Sequence, residues 1–133
     1  DVLRETFAPF SVPVVLVKPD QGVSTGACYR LLDEMATPAP QVEPMLEALR
    51  SRDVTGALAA VANNMEPAAL QLAPAIAEVF SFLQDSGACQ AGPLLCGSGS
   101  CVCAFVGDLA VAERLAAQAR EHGWWACAST TLA

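Results

Sequence analysis

The chain has 133 residues, 53% hydrophobic and 16% charged, a length and balance that suit one domain with a single core and exclude a disordered segment. Fourteen acidic against seven basic residues give a net charge of −7, which argues against a nucleic-acid backbone or an anionic membrane as the main partner, since both require clustered Lys and Arg. No apolar run approaches the ~20 residues that span a bilayer, and residues 1–12, with mixed charge and Pro9, lack the basic-then-apolar plan of a signal peptide. The first residue is Asp rather than Met, which points to a chain processed or cut from something longer. The arginines (Arg4, Arg30, Arg50, Arg52, Arg114, Arg120) are scattered, Lys18 is the only lysine, and such spacing reads as solvated faces.

Residues 13–18, Pro-Val-Val-Leu-Val-Lys, form a continuous β-branched run closed by Pro19-Asp20-Gln21-Gly22 and predict a central strand leading into a turn. Ser24 or Thr25 is the N-cap of a helix over Ala27–Glu34, where Tyr29, Leu31, Leu32 and Met35 recur at helical spacing. Free N–H donors at that helix start therefore follow the first strand. Met35 to Pro44, with Pro38 and Pro40, reads as a loop.

Helices are predicted next over about 44–50, 53–62 and 72–86. The second begins at Asp53 as cap and repeats Val54, Leu58 and Val61. The third has Pro74 in its first turn, repeats Ile76, Val79, Phe80 and Leu83, and stops at Gly87. Between them, Asn63-Asn64-Met65-Glu66-Pro67 is a polar break that reads, by residue type, as a helix C-cap and turn.

Pro93–Cys96 and Cys101–Val106 are short apolar strands joined by Gly97-Ser98-Gly99-Ser100, a β-hairpin whose tip carries no bulky side chain. Glycine at 97 and 99 permits positive φ, so successive N–H groups are able to turn toward one point beside the Ser98 and Ser100 hydroxyls. Such a tip either holds a phosphate oxygen or is a permissive turn packed against another backbone. Asp108 then caps a helix with Leu109, Val111, Leu115, Ala116 and Ala119 as its apolar stripe, His122-Gly123 closes it, and Trp124–Thr130 is the last strand. This order is the split β-α-β plan of a ferredoxin-like α+β domain, with extra helices in the first crossover. In that plan the hairpin tip and the exit loop of the first strand line one site.

Six cysteines (Cys28, Cys89, Cys96, Cys101, Cys103, Cys127) sit mostly in apolar runs, without a C-x₂-C pair and with His122 as the only histidine. That spacing argues against zinc and for reduced, buried thiols, hence the cytoplasm. No complete catalytic set is visible. A Walker-type glycine loop is absent, Asp33-Glu34 reads as a solvated helix end, and His122 falls at a helix end where it caps carbonyls. Phosphoryl transfer requires a phosphate cradle, a metal-binding group and a positioning residue, of which this chain supplies at most part of the cradle.

Three segments together carry a family resemblance: Gly22-Val23-Ser24-Thr25 followed by Tyr29; Asn63-Asn64-Met65-Glu66-Pro67-Ala68; and Leu94–Phe105 around Gly97-Ser98-Gly99-Ser100. In this order and spacing the chain, from Val14 to about Thr130, resembles the C-terminal half of the 4-diphosphocytidyl-2-C-methyl-D-erythritol kinase family, within the GHMP kinase superfamily. The resemblance implies a ferredoxin-like C-terminal domain and ATP-dependent phosphorylation of a hydroxyl on a cytidine diphosphate-linked methylerythritol, in the non-mevalonate route to isoprenoids. It implies that ATP, with Mg2+, is bound mainly by an N-terminal domain that carries the catalytic residues and is absent from this chain. On the present residues it places Gly97, Ser98, Gly99 and Ser100 beside the transferred phosphoryl group, and Thr25 and Tyr29 at the substrate pocket, with no catalytic or metal-binding residue. For Tyr29 the physical logic is an aromatic face for a base to stack on, against a half-buried core tyrosine. One departure stands out: the family segment commonly reads Asn-Asp, and Asn64 removes that carboxylate.

The isolated chain is therefore expected to lack kinase activity and to expose an apolar patch beside the hairpin tip, the face its missing domain covers, or to self-associate through it. Two further readings are the C-terminal domain of another GHMP kinase (homoserine, mevalonate or galactose kinase) and a non-catalytic ferredoxin-like module that binds a small ligand.

Overall fold

A computed structural model describes residues 11–35, 41–97 and 99–131. Four strands, β1 (Pro13–Lys18), β2 (Cys89–Leu95), β3 (Val102–Val106) and β4 (Trp125–Thr130), form one antiparallel sheet in the order β2-β3-β1-β4. Five helices, α1 (Thr25–Met35), α2 (Glu43–Arg50), α3 (Val54–Ala59), α4 (Glu66–Leu72) and α5 (Pro74–Asp85), fill the crossover from β1 to β2, and α6 (Leu109–Glu121) connects β3 to β4. β3 lies between β1 and β2, and β1 between β3 and β4, so each β-α-β unit is split by a strand of the other. This is the predicted ferredoxin-like α+β fold.

The strand alternation decides which face is covered. Val15, Val17, Val102, Ala104, Val106 and Ala126 are buried and belong to the same core cluster as Ile76, Val79 and Leu83 of α5 and Ala112, Leu115, Ala116 and Ala119 of α6. The alanines of α6 bring its backbone close to β1 and β4, and Arg120 fastens its end by donating from Nε and Nη2 to the Ala126 carbonyl at 3.2 and 2.8 Å. Arg120 is thus a structural tie and not part of a solvated face. Outside this layer α4 packs on α5, and α1 packs on α4.

The predicted caps are present. Ser24 Oγ accepts from Ala27 N–H at 3.3 Å, Asp53 from Gly56 N–H at 3.0 Å and Asp108 from Val111 N–H at 2.9 Å. Gly87 (φ 67°) and Gly123 (φ 83°) take the left-handed conformation that ends α5 and α6.

Some boundaries differ. β2 begins at Cys89, four residues before the predicted Pro93, and β4 begins at Trp125. α3 is shorter than 53–62, ending at Ala59. The largest correction concerns residues 63–72, where α4 follows the Asn63–Pro67 break. Its Glu66-Pro67 pair is a helix start, because proline at N1 or N2 forfeits no hydrogen bond there. The predicted 35–44 loop lies partly outside the described residues, as does Ser98.

Candidate functional site

The β2–β3 tip is anchored from outside the hairpin by Asn63. Its Nδ2 donates to the Leu95 carbonyl at 2.9 Å and to the Gly97 carbonyl at 2.7 Å, while its Oδ1 accepts from Met65 N–H at 3.0 Å. The short amide side chain therefore fixes the turn into α4 and the entry to the tip at once. Two residues on, the Met65 carbonyl accepts from Cys28 Sγ of α1 at 3.9 Å, with Cys28 fully buried. Glu66 lies half-buried beside the same strand; burial pushes its carboxyl up, partly offset by a hydrogen bond from the Leu95 backbone. Residues 63–66 are thus the joint between α1, α4 and the tip.

At the tip, Gly99 (φ 95°) packs against Leu95, Ile76 and Val23; a methyl group placed on it would lie 3.0, 3.2 and 3.6 Å from their side chains. Val23 stands two residues before Thr25, so the exit loop of β1 and the tip meet, as the topology predicts. Gly97 (φ 60°) faces open space on its side-chain side. Ser100 is buried, 4% exposed, and among the described residues its Oγ has no hydrogen-bond partner.

The expectation that successive tip N–H groups point to one centre fails at Gly99, because its N–H donates to the Cys96 carbonyl at 3.1 Å and closes the turn internally. Thr25 and Tyr29 lie one turn apart on the same face of α1. Tyr29 is 55% exposed, which excludes the half-buried core tyrosine and leaves its ring available. A cleft of about 670 Å³ opens on the other side of Asn63, between Leu58, Glu66, Pro67 and the 90–94 stretch of β2; the tip, Thr25 and Tyr29 do not line it.

His122 does not cap carbonyls with its ring. The imidazole stacks on Trp124 at 4.6 Å and meets Phe82 edge-on at 5.2 Å, an aromatic cluster under α5 and α6. Of the six cysteines only Cys28 and Cys103 are buried, the other four being half-exposed, and all six are free thiols. Among the described residues, no group of three or more His, Cys, Asp or Glu side chains is arranged to hold a metal ion, and no helix is long and apolar enough to cross a membrane. The residue that sequence reasoning missed is Asn63. Its signal was legible: an Asn two residues before a backbone N–H that the start of a helix leaves open.

Fold and site together define a ferredoxin-like domain with a glycine-serine tip between β2 and β3 and an exposed tyrosine on α1. Residues 45–123 match the family described as GHMP kinases C terminal. The chain belongs to that family. Among curated relatives, the 4-diphosphocytidyl-2-C-methyl-D-erythritol kinase of Pelotomaculum thermopropionicum is 34% identical over 108 residues, 80% of this chain and 37% of the relative. The kinase of the same name from Moorella thermoacetica is 38% identical over 112 residues, covering 81% and 39%. A crystal structure of 4-(cytidine 5'-diphospho)-2C-methyl-D-erythritol kinase superposes with a TM-score of 0.73 at 29% identity, over 96% of this chain and 45% of that one. The chain thus spans about two fifths of the length of the curated relatives it matches.

Proposed function

We propose that this chain is the substrate-side domain of an ATP-dependent kinase that phosphorylates 4-diphosphocytidyl-2-C-methyl-D-erythritol in isoprenoid biosynthesis, in the cytoplasm. An N-terminal lobe outside these 133 residues holds most of the ATP and Mg2+ and brings the catalytic groups. The observation that carries the reading is the joint at Asn63–Met65, which ties α1 and the glycine-serine tip into one rigid unit.

ATP, when bound, supplies the phosphoryl group. Open space on the side-chain side of Gly97 leaves room for an anionic neighbour at the tip, while the Ser100 hydroxyl is buried behind it without a partner among the described residues. Gly99 contributes close packing, since its N–H is already bonded. Thr25 and Tyr29 border the cytidine-bearing substrate, the Tyr29 ring stacking on the base. The N-terminal lobe docks beside the 97–100 tip, where Trp125, 55% exposed and sharing a cleft with Cys101, is an apolar side chain left for it to cover.

The test is steady-state kinetics on the two-lobed enzyme that includes this chain. Loss of a stacked base costs about 1–3 kcal/mol, so Tyr29→Ala raises KM for the cytidine substrate about 5- to 150-fold and leaves KM for ATP unchanged. Tyr29→Phe retains the ring and restores the parent value. An unchanged substrate KM in Tyr29→Ala removes Tyr29 from the pocket. Phosphoryl transfer from ATP by the 133-residue chain alone, followed by phosphorus NMR, would falsify the two-lobe reading.

A further inference from the structure

The sheet face turned away from α5 and α6 carries a cluster of thiols that the kinase reading does not use. Val102, Ala104 and Val106 point to the helices, so Cys101 and Cys103 lie on the opposite face. The register pairs Leu94 with Cys103 and Leu95 with Val102, and Cys96 N–H donates to the Cys101 carbonyl at 2.9 Å, which sets Cys96 opposite Cys101. Cys96, Cys101 and Cys103 therefore share one face of the sheet where β2 and β3 meet the tip. Cys127 is separated from them by Leu16 of β1, its direct neighbour in the sheet and that of Cys103.

We propose that Cys96 and Cys101 are a reversible dithiol–disulfide site at the base of the 97–100 tip, whose reaction partner is a low-molecular-weight disulfide such as oxidised glutathione. Backbone spacing selects this pair. Facing residues in a hydrogen-bonded antiparallel position have Cα atoms about 5.5 Å apart, inside the roughly 4.4–6.8 Å that a disulfide spans. The diagonal partners Cys96 and Cys103 are about 7–8 Å apart, beyond that reach. Access comes through a cleft of about 530 Å³ lined by Lys18, Pro19, Asp20, Cys101 and Trp125. The Lys18 ammonium beside Cys101 suits the carboxylates of a glutathione molecule.

Cys101 lines the cleft with Lys18 and is the thiol that a small disulfide meets first. Its proton is lost to solvent. The Cys101 thiolate attacks one sulfur of the small disulfide, forming a mixed disulfide and expelling a thiolate that takes the proton of Cys96. The Cys96 thiolate then attacks the Cys101 sulfur, closes the bond and releases the second thiolate, which is protonated from solvent. Two protein thiols are oxidised and one small disulfide is reduced to two thiols. Excess reduced glutathione reverses the sequence.

The experiment is incubation of the 133-residue chain with oxidised glutathione, acid quench, alkylation of the remaining thiols and tandem mass spectrometry. The expected product lacks two hydrogens, retains alkylatable Cys28, Cys89, Cys103 and Cys127, and gives no backbone fragments between Cys96 and Cys101. Cys127→Ser leaves the bond intact. Cys103→Ser still forms it, because the diagonal thiol is not one of the two that bond. A persistent glutathione adduct, a bond to any other cysteine, or Cys96 and Cys101 both alkylated overturns the proposal. None of these outcomes depends on the kinase reading.

Discussion

Asn63 joins more of this molecule than any residue near the tip, through three hydrogen bonds that reach Leu95, Gly97 and Met65. Truncating it leaves a part-buried carbonyl without its donor, and such a loss costs about 1–3 kcal/mol. Asn63→Ala is therefore expected to lower the unfolding free energy by that amount, read as a lower urea midpoint at unchanged slope, and a midpoint equal to the parent's would show that the joint is unimportant. The two tip glycines differ for a reason read from their surroundings. At Gly97 an added methyl meets nothing and the cost is the left-handed backbone alone, about 1–2 kcal/mol. At Gly99 the same methyl also collides with Leu95 and Ile76. Gly99→Ala should therefore destabilise more than Gly97→Ala, and the reverse order in paired denaturation curves would contradict the packing.

At the scale of elements, α6 depends on its cap. Asp108 accepts from Val111 N–H at 2.9 Å, and Asp108→Ala is expected to cost about 0.5–2 kcal/mol, read by thermal or urea unfolding. The start of α4 has a different character, because Glu66 is held there against burial. Its carboxyl is raised in the folded state, so between the ordinary carboxylate value and the raised one the folded chain binds more protons than the unfolded chain. Stability from this group is consequently lost as pH rises through that window. Glu66→Gln removes the slope, and relative to the parent the variant gains stability as pH rises above the ordinary carboxylate range. A stability difference that is flat with pH would mean that Glu66 is not desolvated. α4 was hidden in the sequence by its own start signal: Asn63-Asn64 and Pro67 suit both the end of one helix and the beginning of the next, and no local pattern says which.

For the whole molecule, one sheet face is covered by α5 and α6, while Tyr29 and Trp125 stand out elsewhere, each 55% exposed. Under the two-lobe proposal Trp125 belongs to an interface. The 133-residue chain is then expected to self-associate with rising concentration in sedimentation velocity, and Trp125→Ser to weaken that association. A monodisperse monomer across the range, with the variant indistinguishable, would remove Trp125 from any interface. The net charge of −7 adds a condition: repulsion between copies weakens as salt screens it, so association grows with ionic strength.

Local chemistry alone determined the strand runs, the caps at Ser24, Asp53 and Asp108, the closing glycines and the order of elements that makes a split β-α-β domain, because each depends on neighbours along the chain. The three motif segments were likewise legible as segments. What only the tertiary structure decided is how they meet: the Asn63 amide lies 32 and 34 residues from the carbonyls it holds, Gly99 owes its tight contacts to Ile76 and Val23, and Ser100 loses water only when the sheet and helices close over it. Periodicity along a chain reports the face on which a residue lies. It carries no distance between residues that folding alone brings together.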